Sequence, residues 1–251
     1  MPEPSIELLN PEDDEVAWTD KQRRMIVAVQ RGEAIIDADA LHGELNKLRW
    51  PVAYADFEFD TTMAVPRYRA SWPYEPIPFQ WSMQIQREPG AELEEPLAFL
   101  HLEGGDPRQP FMDSFLAAVP EEGSIVAHHQ AAELTVLRCA AAALGGTHSE
   151  TVRYLARRFF DTERLLLAGY YHPAQQGSYS IKKVAPALLG RGYEDLEIQD
   201  GMAAVVAWKR AISPDCQTEE RAAIRDHLLA YCGRDTQLMH DIIDALRRLI
   251  G

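Results

Sequence analysis

The sequence predicts a mixed α/β fold, with a five-stranded mixed sheet, antiparallel at first and parallel later, flanked by helices. Three observations carry this expectation. Val52 to Phe59, Phe79 to Gln86 and Leu97 to Leu102 follow one another as short strand-like runs with no helical period between them. Three successive strands of this kind mark an antiparallel meander. After Gly104-Gly105 the period alternates: "RQPFMDSFLAAV" reads as a helix, "SIVAHH" as a buried strand, and "AAELTVLRCAAAALGG" as a helix ended by glycine. A short strand at Phe159 and Phe160, with a helix from Asp161, continues a βαβ rhythm that adds parallel strands to the meander.

The remaining elements follow in order. Residues 1 to about 18 are rich in Pro, Glu and Asp and read as a mobile arm. Thr19 or Asp20 caps a helix with Met25, Ile26 and Val29 as its apolar stripe. A second helix after Asp37 or Asp39 carries Leu41, Leu45 and Leu48. Residues 1–49 are therefore expected to form an acidic arm and helical lead-in, and residues 50–251 the main domain. The segment between the first two strands, "TTMAVPRYRASWPYEPIP", holds four prolines and the aromatics Trp72 and Tyr74. An ordered loop of that length is more often functional than idle. Beyond it, Ser180 caps "IKKVAPALL", and amphipathic helices are expected near 200–212, 219–232 and 235–250.

Composition narrows the function. Hydrophobic residues make up 46% and charged residues 25%, a balance that supports a globular core. No apolar run reaches the roughly 18 residues a membrane helix needs. The acidic start "MPEPSIELLNPEDDEV" has no basic or apolar leader region. Cys139, Cys216 and Cys232 are odd in number and widely spaced, which predicts neither a disulfide framework nor a zinc site and points to the cytoplasm. The net charge of −14 argues against gripping duplex nucleic acid by bulk electrostatics. It leaves open an acidic site whose bound cations meet phosphates.

Candidate chemistry begins at "YADFEFD". Asp56 and Glu58, two apart on a strand, share a face and repel unless a proton or cation sits between them. Asp60 falls on the same face and reads as a strand-end carboxylate in solvent. Glu133 lies just past the strand "SIVAHH", where ligand sites collect in such sheets. Tyr231 and Asp235, four apart on a helix, share another face. Each alone has an ordinary reading: a wet strand face, a first-turn glutamate favoured by the helix dipole, a buried tyrosine beside a surface acid. Together they make a set of oxygen donors suited to Mg²⁺ or Mn²⁺.

Asp56-x-Glu58, Glu133 and Tyr231-x-x-x-Asp235 resemble the motifs of the DEDD superfamily of RNase H-like (DnaQ-like) 3′–5′ exonucleases, in its tyrosine subgroup. More narrowly, "YADFEF", "WPYEPIPFQWSMQI", "GSIVAHHQAAEL", "YYHPAQQGSYSIKKVAPALL", "LEIQDG" and "YCGRDT" resemble a bacterial domain of unknown function assigned to that superfamily. The resemblance covers about residues 50 to 245. It implies that Asp56, Glu58, Glu133 and Asp235 hold two divalent ions, Mg²⁺ or Mn²⁺, and that Tyr231 orients or helps deprotonate the attacking water, with the metal doing most of the activation because an unperturbed phenol of pKa about 10 is a poor base. The implied activity is hydrolysis of terminal phosphodiesters at single-stranded DNA or RNA 3′ ends. Departures from the pattern are Glu133 for the superfamily's usual Asp, His129 where the narrower family tends to have Asn, and Ala132 where it has an aromatic. Asp161 in "FFDTERLL" also resembles a family acid, with capping of the following helix as its ordinary role.

Softer candidates for substrate contact are His129, Lys182, Lys183 and Trp81, with His172, Trp72 and Tyr74 beside them. His128 and His129, adjacent on a strand, face opposite ways and make no zinc pair. Arg153, Arg157 and Arg158 form the main basic cluster, ordinarily a solvated helix face. The alternative expectation is a catalytically weak or inactive RNase H-like module that partners a separate nuclease. A third is a phosphoesterase acting on small nucleotides.

Overall fold

The computed structural model of the chain describes residues 5–13 and 15–251. In chain order the elements are α1 (Asp20–Arg31), β1 (Ile35–Ile36), α2 (Ala38–Leu45), β2 (Val52–Asp60), β3 (Ile77–Gln86), β4 (Leu97–Leu100), α3 (Arg108–Ala118), β5 (Ser124–Ala127), α4 (Ala131–Leu144), α5 (His148–Leu155), β6 (Phe159–Asp161), α6 (Thr162–Gly169), β7 (Tyr170–Tyr171), α7 (Ile181–Leu189), α8 (Gly201–Ala211) and α9 (Thr218–Ile250). They fall into two compact units. One holds the described residues up to Lys47 together with Thr162–Gly192 and Asp241–Gly251; the other holds Leu48–Asp161 and Tyr193–His240.

The second unit contains the expected five-stranded mixed sheet, in the order β4-β3-β2-β5-β6. β2 pairs antiparallel with β3, and β3 with β4; β2 pairs parallel with β5, and β5 with β6. A meander followed by parallel strands, flanked by helices, is consistent with an RNase H-like fold. Alternation sorts each strand between two faces. On one face Ala53, Ala55, Phe57, Trp81, Met83 and Ile85 meet Phe111 and Phe115 of α3 and Val136 and Leu137 of α4 in the main apolar cluster. Phe57 packs edge-to-face on Phe111 and Phe115, at 5.2 and 4.9 Å between ring centres.

The other face is polar yet covered. Gln80 Nε2 donates to the Leu228 carbonyl of α9 at 2.7 Å, and Ser82 Oγ lies 3.4 Å from Thr236 Oγ1. Every residue of β3 is buried, because α9 lies over the polar side of the alternating "FQWSMQIQ". The register steps by one between Glu58, opposite Gln80, and Phe59, opposite Pro78. Near that bulge Phe79 stacks on Trp208 of α8, ring centres 4.5 Å apart, while Trp208 Nε1 donates to the His101 carbonyl.

The start of β5 is set by Gly123 (φ +86°), where a Cβ would fall 1.9 Å from the Pro51 carbonyl oxygen. Only glycine allows that approach. Helix α9 is a single helix of 33 residues, where two were expected. Gly233 lies inside it, where a lone helical glycine costs only about 1 kcal/mol and the helix packs against Ser82 of β3. Likewise "SIVAHH" ends as a strand at Ala127, so His128 and His129 are outside it. His129 takes a left-handed conformation (φ 60°) and its N–H donates to Asp161 Oδ1 at 3.0 Å.

In the first unit Thr19 caps α1 in a capping box with Gln22, and Asp37 caps α2 through the Ala40 N–H. Leu48 is buried but lies past the end of α2. Arg24 donates to the Leu167 and Ala168 carbonyls, each at 2.7 Å, and β1 pairs with β7. The lead-in helices thus share a unit with residues 162–192. Of the expected mobile arm, residues 1–4 and 14 lie outside the described residues. The described part is fastened to α1, with Gln30 Nε2 donating to the Leu9 carbonyl at 2.6 Å and Arg23 to that of Pro11.

Candidate metal centre

The site is assembled at the C-terminal ends of the parallel strands, where side chains of β2, the turn after β5 and the end of β6 converge. Asp56 and Glu58 point from β2 to the face covered by α9. Helix α9 adds Tyr231, Cys232 and Asp235. The donor atoms of Asp56, Glu58 and Cys232 lie within 4.8 Å of one another. Cys232 Sγ sits 3.5 Å from both the carbonyl and Oδ2 of Asp56, placed for its thiol to donate. Glu133, in the first turn of α4, and Asp235 are close enough for their charges to act on Asp56.

The electrostatics follow from putting several acids where water is excluded. Burial pushes the Asp56 carboxyl well above its usual range, and the charges of Asp235, Glu58 and Glu133 push it further. Burial raises Glu133 to about 8, with Asp161 and Asp235 adding to the rise. Glu133 is 4% exposed, and its Oε2 has no hydrogen-bond partner. Burial, then Asp235, Glu58 and Asp56, hold the Tyr231 phenol far above its ordinary value, so it keeps its proton. Cys232 is likewise held as a thiol, first by burial and then by Asp56. A buried cluster of acids that repel one another is the environment a divalent cation relieves.

Two contacts escaped sequence reasoning. Tyr193, in the connection between α7 and α8, donates its phenol to Asp235 Oδ1. Burial and then Asp235 raise its pKa strongly, so it is a permanent donor. That connection is held to α9 by Arg234, which donates to both Asp195 oxygens at 2.8 and 2.7 Å. Cys232 shares a helix face with Asp235 three residues on, a spacing that could have flagged it; nothing local flags Tyr193. The end of "LEIQDG" also stands at the site. Asp200 caps α8, and a Cβ at Gly201 would lie 3.8 Å from Glu58 Oε2, so the helix begins against that carboxylate.

Other candidates fall elsewhere. Asp60 is fully buried rather than in solvent, because Lys209 pairs with it at 2.8 Å and Thr62 donates from N and Oγ1. Burial alone would raise its pKa, but those bonds lower it. Trp81 is 3% exposed, donates Nε1 to Ser114 Oγ and packs on Phe115, so it belongs to the core and not to a substrate surface. Asp161 accepts from His129 N–H and fixes the turn after β5. Lys182 and Lys183 belong to the other compact unit, where Lys183 donates to Gln176. His172 caps a short 3₁₀ turn in that unit. Arg158 is spent on the carbonyls of Pro120, Glu121, Glu122 and Gly123 rather than free on a helix face. A groove of about 380 Å³ adjoins the strand ends, lined by Phe59, Thr61, Pro76, His129, Ala131, Ala132 and Thr135.

The fold and site define a mixed α/β protein with a buried cluster of acids and one thiol that could hold a metal ion. A family profile described as a domain of unknown function, DUF2779, matches residues 53–180, and the chain belongs to that family. The matched span includes Asp56, Glu58 and Glu133 and ends before Tyr193, Tyr231 and Asp235. No curated protein matches the chain. Among the described residues no helix is long and apolar enough to cross a membrane.

Proposed function

We propose that the chain is a divalent-metal-dependent 3′–5′ exonuclease that hydrolyses terminal phosphodiesters of single-stranded DNA or RNA. The observation that carries this reading is the buried group of Asp56, Glu58 and Cys232, whose donor atoms lie within 4.8 Å of one another, with Asp235 and Glu133 close enough to raise the Asp56 pKa by their charges. The donor set fits Mg²⁺ or Mn²⁺. Carboxylate oxygens suit hard cations, and the unpartnered Oε2 of Glu133 is a buried acceptor that lacks a donor. Asp56, Glu58, Glu133 and Asp235 would hold the ions, two in number by the resemblance noted above. When bound, the cations would activate a water and offset negative charge at the scissile phosphate.

The chain's own groups do the positioning. Tyr231 Oη keeps its proton and is a donor that can orient a water or a phosphate oxygen; it is not a general base. Tyr193 Oη fixes the Asp235 carboxylate through its hydrogen bond. Asp161 and the left-handed His129 set the turn that delivers Glu133. The adjoining groove offers a strand end a place beside the acids.

The second reading, an inactive module that recruits another nuclease, is favoured by Cys232, a thiol standing where a further oxygen donor would strengthen hard-ion binding. Calorimetric titration with Mn²⁺ separates the two. The exonuclease reading expects binding by the wild type and none by Asp56→Asn; no heat from either protein supports the inactive module.

A further inference from the structure

The loop from Thr61 to Pro76 connects β2 to β3 and begins directly after the strand that carries Asp56 and Glu58. It is 16 residues long by its numbering, without regular structure, yet it is tightly built. Arg108, 2% exposed, donates to the Arg69 carbonyl at 2.6 Å and lies over the Tyr68 ring at 5.9 Å. The same guanidinium is 3.7 Å from Glu75, itself 8% exposed. Glu75 Oε2 in turn accepts from Trp72 N–H at 2.7 Å, and Tyr74 N–H donates to the Met63 carbonyl. Arg108 is paired most closely with Asp106, at 2.7 Å, and burying an arginine with its carboxylate partners is seldom a gain in stability over apolar packing. Here it serves to fix a loop.

What the clamp displays is unusual for a surface. Trp72 is 76% exposed and Tyr74 64% exposed. Two non-glycine residues of the loop, Ala70 (φ 53°) and Tyr74 (φ 61°), are held in the left-handed region. Such strain costs on the order of 1–3 kcal/mol per residue and persists only where surroundings impose it. Strained backbone, a buried ion pair and two outward aromatics would together be wasteful in an idle connection. Arg67 and Arg69 are exposed in the same segment, so "RYRASWPY" interleaves cations with aromatics on a chain whose net charge is −14. The loop's two ends, Thr61 and Pro76, line a groove with Phe59 and Ala132, the chain neighbours of Glu58 and Glu133.

We infer that this loop is a preformed stacking platform for unpaired bases, on which Trp72 and Tyr74 hold a single-stranded nucleic acid by their ring faces. Stacking is indifferent to base identity and needs bases free of a complementary strand. Arg67 and Arg69 supply the local positive charge that the rest of the chain lacks. The platform would hold the strand whose end enters the groove, and its ligand class rests on the activity proposed above.

The test uses the full chain and a fluorescein-labelled oligo-dT with phosphorothioate linkages, read by anisotropy in Mn²⁺ and in EDTA. Trp72→Ala and Tyr74→Ala should each bind about 5- to 100-fold more weakly. Trp72→Phe should stay close to wild type, and an abasic strand should bind the wild type as weakly as oligo-dT binds Trp72→Ala. Both truncated residues are exposed, so the variants should keep the wild-type melting temperature. Equal affinities for Trp72→Ala and wild type, no binding by the wild type, or a self-associated dimer dissolved by Trp72→Ala would each overturn the platform. Hydrolysis of unmodified oligo-dT is followed in parallel. Aromatic-dependent binding without hydrolysis keeps the platform and rejects the exonuclease; hydrolysis with a KM unmoved by Trp72→Ala does the reverse.

Discussion

Glu133→Gln in the metal-free protein is expected to raise stability at pH 8, where the buried carboxyl is half ionised and the amide stays neutral. Glu133 has a folded-state pKa of about 8, against 4.5 for an unperturbed glutamate, chiefly through burial and then through Asp161 and Asp235. A raised folded pKa means the folded state holds a proton that the unfolded state has released. Its contribution is fully present below pH 4.5 and is lost as pH rises toward 8. Between pH 5 and pH 8 the linkage amounts to about 3.5 kcal/mol. For a chain of this length that is on the order of 10 °C in Tm. The assay is urea unfolding in EDTA at pH 5, 6, 7 and 8 for wild type and Glu133→Gln. The wild type should lose about 3 kcal/mol more than the variant over that range, and Mn²⁺ should restore the wild type at pH 8. Parallel pH profiles for the two proteins would refute the desolvated-acid picture of the site.

Three further outcomes follow from the packing and hydrogen bonds. Tyr193→Phe removes the donor on Asp235 and should lower stability of the metal-free protein by about 2 kcal/mol while weakening Mn²⁺ binding in a calorimetric titration. Trp208→Ala leaves a hole beside Phe79 and an unpaired His101 carbonyl, so unfolding in urea should show a loss of about 3–5 kcal/mol. Gly123→Ala forces a methyl onto the Pro51 carbonyl at a positive φ and should cost at least about 2 kcal/mol by the same measurement.

Much of the fold was legible because periodicity reports burial. The strands from Val52, Phe79 and Leu97 and the helix after "SIVAHH" appear within a few residues of their expected places. Phe57 and Phe59 turn toward the apolar layer and Asp56 and Glu58 away from it, as alternation alone demands. What escaped depends on partners distant in sequence. A strand's polar face looks wet unless one knows which helix will cover it, which is why Asp60 reads as a solvent carboxylate although Lys209 of α8 pairs with it and it is fully buried. The two units interleave along the chain, so no boundary at residue 49 could reveal that segment 162–192 packs with the lead-in helices. Acid spacing identified Asp56, Glu58, Glu133 and Asp235 as candidates, whereas Tyr193 reaches Asp235 only through a tertiary turn.

The most direct measurement is digestion of 3′- and 5′-labelled single-stranded DNA and RNA by the purified chain in Mn²⁺ or Mg²⁺, beside Asp235→Asn. Stepwise shortening from the 3′ end, abolished by EDTA and by Asp235→Asn, is the predicted result. Intact strands under every metal condition, or digestion that survives both chelation and Asp235→Asn, would contradict the assignment of the acidic cluster as a metal-dependent exonuclease centre.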